Sequence, residues 1–167
     1  MTLAGPVVAV ALATMLSALP WGLAPEARLV LPLMPFAVLH VLTVARGGRM
    51  PEWLAFAAGL GFDLLSDGPL GYWSLVYLAG HAASVAGAPF ASRSYAAAFI
   101  HYAVTLVLLV AIEVALSSLY FGARSDLRPL SMAVAWAALA HPLLVLATFG
   151  ASRVAAAKSV VRPGLGA

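Results

Sequence analysis

Residues 59–75 read GLGFDLLSDGPLGYWSL. Two aspartates, four glycines and a proline fall between Gly59 and Gly71, inside a chain that is otherwise strongly apolar. Asp67-Gly68 is turn chemistry, and Pro69 presets φ for the first turn of a following helix. The stretch therefore predicts a tight connection between two antiparallel helices. Asp67, beside the amino end of the second helix, is placed to cap it, because a carboxylate is favoured there by about 0.3–1 kcal/mol. Asp63, one turn earlier, lies too deep for that role. It is a candidate for a buried polar contact or a partner site, or alternatively for capping a local backbone gap opened by Gly59, Gly61 and Gly68.

Working outward, apolar runs of helical length recur on both sides. The chain has 167 residues, 63% of them hydrophobic and 9% charged, with a mean hydropathy of +1.01. A soluble domain carries about 25% charged residues. Such a chain has no aqueous face of any size, so its surroundings are read as lipid and its core as helix–helix contact. Six spans are predicted, at 6–23, 28–45, 51–66, 70–91, 95–121 and 130–152, forming one all-α transmembrane domain over 1–167. The connections are LPWGLAP (19–25), RGGR (46–49), SDGPLG (66–71), SRS (92–94) and GARSDLRP (122–129). The third span is short for a hydrocarbon layer of about 30 Å. It is read as tilted, buried among neighbours, or completed by SDGPLG. No Lys or Arg precedes Arg28, so the basic region of a signal peptide is missing and the first span is read as a retained helix.

Charge sets the expected orientation. Arg46, Arg49, Arg93, Arg153, Lys158 and Arg162 fall on one side, and Arg28, Arg124 and Arg128 on the other with Glu26, Asp67 and Asp126. The bias puts both termini in the cytoplasm and SDGPLG outside. The basic residues stand singly in short loops, which excludes a nucleic-acid patch. The chain has no cysteine, which excludes disulfides, thiolate metal sites and cysteine nucleophiles.

Ionisable groups inside spans are costly unless paired or hydrated. Counted by rise per residue, Asp63, His81 and His141 each lie about 17–18 Å from a span end, so the three are expected to share one mid-membrane layer. Asp63 is expected to pair with His81. His40 and His101 fall nearer the cytoplasmic face, and Glu113 nearer the outer one. The functional reading is a polar cluster that binds something or senses protonation; the plainer reading is interhelical glue. His141 precedes Pro142, whose kink frees a carbonyl that the imidazole can serve. Ala9 and Ala13 have the small-residue spacing that permits close helix approach. No serine-hydrolase elbow, phosphate loop or zinc-protease motif is present. No metal or cofactor is expected.

GLGFDLLSDGPLGYWSLVYL (59–78) resembles the signature of the rod shape-determining protein MreD family. Gly59 and Asp63 fill its G-x-x-x-D, and Pro69, Leu70 and Gly71 its P-L-G, with Asp67 and Gly68 between them. LPLMPFAVLHVLTVARG (31–47), with its paired prolines, is similar to that family's second span. The resemblance implies a non-enzymatic multi-pass protein of the bacterial inner membrane. Its implied partners are an MreC-like protein, an MreB filament, a RodA-like glycosyltransferase, a class B penicillin-binding protein and membrane lipid. The family also resembles the substrate-binding membrane subunits of energy-coupling-factor vitamin transporters, which share a six-helix plan. A solute binder of that kind is the alternative, with Tyr72, Trp73 and Tyr77 as its outward-facing lining or else as an interfacial aromatic belt. Gly71, at a helix start, is expected to mark close backbone approach to a neighbour.

Overall fold

The computed structural model describes residues 3–122 and 127–160. Arg124, Asp126 and Arg162 of the charge tally lie outside the described residues. Among the described residues all regular secondary structure is helical. The elements are α1 (Ala4–Ala18), α2 (Pro25–Arg28), α3 (Leu33–Ala45), α4 (Glu52–Leu65), α5 (Tyr72–Ala91), α6 (Tyr95–Phe121) and α7 (Leu127–Val160).

Proline explains where the helices depart from the expected spans. The first was expected to reach residue 23 and stops at Ala18. Leu19 precedes Pro20 and takes an extended backbone with ψ 146°, because the pyrrolidine ring clashes with a helical residue before it. The second expected span is divided. The single turn α2 is followed by i→i−3 bonds, from Val30 N to Ala27 O, Leu31 N to Arg28 O and Leu33 N to Val30 O. Only after Pro32 does α3 begin. Pro32 and Pro35 each lack the N–H that a continuous α-helix would need at those points.

The third, fourth and fifth expected spans match α4, α5 and α6 to within two residues at each end, whereas α7 starts three residues before the expected 130 and runs eight residues past the expected 152, to Val160. The structure gives α4 14 residues, about 21 Å by rise, and SDGPLG does not lengthen it. Ala55, Ala58, Gly59, Phe62 and Asp63 form its buried face, while Trp53, Phe56, Leu64 and Leu65 are exposed.

At the centre, α5 packs against α3, α4 and α6. Outside this group, α1 lies on α3 and α4, and α7 lies on α3 and α6. The core joins Leu33, Phe36 and Leu39 of α3 with Val76 and Tyr77 of α5, Tyr102, Leu106 and Leu109 of α6, and Ala133 and Ala137 of α7. Several hydroxyls within helices close their bonds locally. Thr14 donates to Val10 O (2.9 Å), Ser17 to Ala13 O (2.8 Å) and Thr105 to His101 O (2.8 Å).

Among the described residues two helices, over 95–120 and 128–146, are long and apolar enough to cross a membrane; α1 and α3 are shorter apolar helices. The outward face of α6 carries Phe99, Ile100, Val104, Val107 and Leu108, all exposed, and that of α7 carries Met132, Trp136, Leu139, Leu143 and Leu146. Contiguous apolar faces of this length are foreign to a water-soluble monomer. Their placement on the outside fits a lipid surround.

Candidate functional site

The residues between Gly59 and Trp73 form one joint. At the end of α4, Asp67 adopts φ 53°. Gly68 N donates to Asp63 O at 3.1 Å, and Ser66 N to Phe62 O at 2.9 Å. This is a Schellman-type closure with an aspartate, rather than the usual glycine, in the left-handed position. Asp67 therefore terminates α4 and does not cap α5 as expected. The carboxylate that caps α5 is that of Asp63, reaching across from the preceding helix. Its Oδ2 accepts from Gly71 N at 2.9 Å and its Oδ1 from Trp73 N at 3.0 Å. Two orphan donors of the helix start are thus satisfied by one charged group only 1% exposed.

Glycines fit this joint for two different reasons. A Cβ on Gly59 would collide with the Ser74 backbone, so α4 and α5 cross here at main-chain contact. Gly71 sits at φ 92° with open space around it. Close approach, which the sequence suggested for Gly71, belongs to Gly59; at Gly71 the requirement is the left-handed backbone. Pro69 O receives Tyr72 N at 3.1 Å, and Leu70 is exposed. Tyr72 donates to Glu113 O (3.0 Å) and Oε1 (3.2 Å), and Tyr77 donates to Pro32 O (2.5 Å). Tyr72 and Tyr77 are buried, so they tie helices together and do not form an interfacial belt.

The expected layer of Asp63, His81 and His141 divides into three separate surroundings, although all three are buried. His81 Nε2 meets Met50 O at 3.2 Å, and its Nδ1 lies 3.4 Å from Thr43 Oγ1. Met50 lies two residues before α4, whereas Asp63 lies about 17 Å along α4 from Glu52. The short α4 spans only part of α5, so its start is level with the middle of α5. Asp63 and His81 are therefore not partners. Ala9 and Ala13 are half-buried; the line of α1 that packs inward is Pro6, Val10, Thr14 and Ser17.

His141 instead joins His40 and His101, which sequence depth alone had set apart. The His40 ring stacks on His101 at 5.0 Å and meets His141 edge-on at 5.9 Å; Tyr102 stacks on His141 at 4.3 Å. His101 seats where a Cβ on Gly87 would otherwise stand. His40 Nδ1 lies 2.9 Å from Ser84 Oγ, and His101 Nε2 lies 3.3 Å from Ala83 O. His40 Nε2 and His101 Nδ1 are buried without a hydrogen-bond partner. Among the described residues no three His, Asp or Glu side chains are arranged to hold a metal ion; the cluster is assembled by ring stacking. His40 and His141 also line a cavity of about 540 Å³ with Val41, Val44, Arg93 and Ser94. The sequence signal for this cluster was one histidine on each of three helices, but only the packing of α7 on α3 and α6 brings them together.

Comparison of the chain with family models, with curated proteins and with solved structures finds no match in any of the three.

Proposed function

We propose that the chain is a non-enzymatic, six-span inner-membrane scaffold of the MreD type, holding an MreC-like partner and through it the peptidoglycan-synthesis machinery of an elongating cell. The observation that carries this reading is the α4–α5 joint. The residues of the resemblance are not scattered: Gly59 admits the Ser74 backbone, Asp63 caps α5, and Gly71 supplies the left-handed residue that α5 starts from. A short motif with a mechanical role in one hairpin is what a rigid docking frame requires. The spans would be α1, α2 with α3, α4, α5, α6 and α7, with α4 short and leaning on α5.

Orientation is supported by the loops. Gly48 of RGGR lies against Val85 and Ala88 near the end of α5 that SRS follows, so Arg46, Arg49 and Arg93 stand at one end of the bundle. On the positive-inside rule that end is cytoplasmic. The histidine-lined cavity lies at the same end, away from the outer face where an importer would collect solute, and this favours the scaffold over the transporter subunit.

The test is recovery from mild detergent of the tagged full-length chain, with mass spectrometry of both proteins and small molecules. Stoichiometric MreC-like or RodA-like chains would support the scaffold. A stoichiometric vitamin together with a coupling ATPase would refute it.

A further inference from the structure

The cavity beside the histidine cluster has the make-up of a ligand site. Its rim is polar and exposed: Arg93, Ser94 and Tyr95, where α5 turns into α6. Arg93 is held over the Phe90 ring, 5.9 Å from its centroid. Ser94 caps α6 by accepting from Ala97 N, so the positive end of a 27-residue helix dipole points into the rim. The walls are apolar, from Val41, Val44, Ala91 and Ala98, and the lining is completed by His40, His141 and Val145, buried to 0%, 3% and 8% exposure against the exposed rim, which marks the inner end. The volume of about 540 Å³ lies within the range of small-molecule sites.

A second and independent observation lies at the inner end. His40 is fully buried. Its Nδ1 is engaged with Ser84 Oγ, which also lies 2.7 Å from Gly80 O. Whichever partner supplies the proton of the His40–Ser84 contact, Nε2 keeps a lone pair or an N–H that no protein group meets. A hydroxyl satisfies either state, since it both donates and accepts. The cavity thus asks for an anion at its rim and a hydroxyl at its inner end, joined through an apolar passage.

We infer that this cavity binds one anionic glycerophospholipid of the cytoplasmic leaflet, with its phosphate at Arg93 and the start of α6 and a glycerol hydroxyl of its headgroup against His40. Arginine forks suit phosphate, and basic pockets between spans on the cytoplasmic side are where anionic headgroups are held. The shared chemistry is a phosphate ester carrying further oxygens, which a soluble glycerol phosphate also offers. The lipid is favoured because the walls are apolar and the outer faces of α6 and α7 adjoin lipid. This site goes beyond the scaffold role; of that reading it rests only on the orientation that puts the Arg93 end at the cytoplasmic face.

The experiment is native mass spectrometry of the delipidated full-length chain in non-ionic detergent. It is titrated with dioleoyl phosphatidylglycerol, with phosphatidylcholine of the same chains, and with glycerol 3-phosphate. One phosphatidylglycerol per chain is expected, at least tenfold tighter than phosphatidylcholine. Arg93→Gln, on the exposed rim, should weaken it about tenfold, and Val44→Trp, which fills the cavity from its wall, should abolish it. Elution volume and thermal midpoint check that each variant is folded; should Val44→Trp fail that check, Arg93→Gln decides. Displacement of the lipid by equimolar glycerol 3-phosphate would overturn the lipid as the source. Equal binding of both lipids, or unchanged binding by folded Arg93→Gln, would overturn the site.

Discussion

Replacing Asp63 by asparagine removes the charge while keeping the shape, and its cost is readable from the α4–α5 joint. The carboxylate accepts two main-chain bonds, at 2.9 and 3.0 Å, in a buried place. Asparagine offers one acceptor oxygen, so one of Gly71 N and Trp73 N would face its NH₂ group. Losing one charge-assisted bond and stranding one buried donor should cost about 1.5–3 kcal/mol. Asp63→Ala strands both donors and should cost about 2–5 kcal/mol. The assay is reversible unfolding of the purified chain in mixed micelles with increasing denaturing detergent, followed by tryptophan fluorescence, since Trp73 lies at the joint. The same series tests the partner assignment. His81 bonds elsewhere and lies about 12 Å further along α5 than Trp73, so Asp63→Asn and His81→Gln should add within about 0.5 kcal/mol. A loss below about 0.5 kcal/mol for Asp63→Asn, or a double variant much milder than the sum, would refute this account of the joint.

Other outcomes follow from the same geometry. Gly59→Val places its Cβ on the Ser74 backbone and should lower the yield of folded protein in membranes more than Gly61→Val, which meets only Thr14 Cγ2 at 3.6 Å; membrane levels by immunoblot decide. At Gly71, asparagine should be tolerated, whereas valine should destabilise by about 1–2 kcal/mol, because the position has room but a φ of 92°; equal stabilities would remove the backbone argument. A reporter fused at the C-terminus should be active only in the cytoplasm and one inserted after Asp67 only outside, and export of the C-terminal fusion would contradict the six-span arrangement.

Much of the fold was legible because helix ends announce themselves chemically. Ser94, a cap residue, marks the start of α6, and Gly122, at φ 62°, marks its end. Pro20 was visible too, but its effect on Leu19 shortens α1 by a turn that hydropathy alone does not show. The break between α2 and α3 needed Pro32 and Pro35 to be read as missing donors rather than as family markers. Within the site, the importance of Asp63 was legible from its cost in an apolar run; its partner was not. Counting rise from helix ends assumes that neighbouring helices share a length. The 14 residues of α4 against the 20 of α5 break that assumption and move His81 to the other end of α4. His40, His101 and His141 were visible as residues but not as a cluster, since the packing of α3, α6 and α7 is decided by long-range contacts that leave no local periodicity.

The scaffold claim is tested most directly by depleting the chain from the cell that makes it and measuring cell width and length by microscopy. The account predicts that rods widen and round, and that wild-type chain restores them while Asp63→Ala restores them poorly. Cells that keep their dimensions through depletion, while losing uptake of a vitamin, would contradict it and make the chain a transporter subunit.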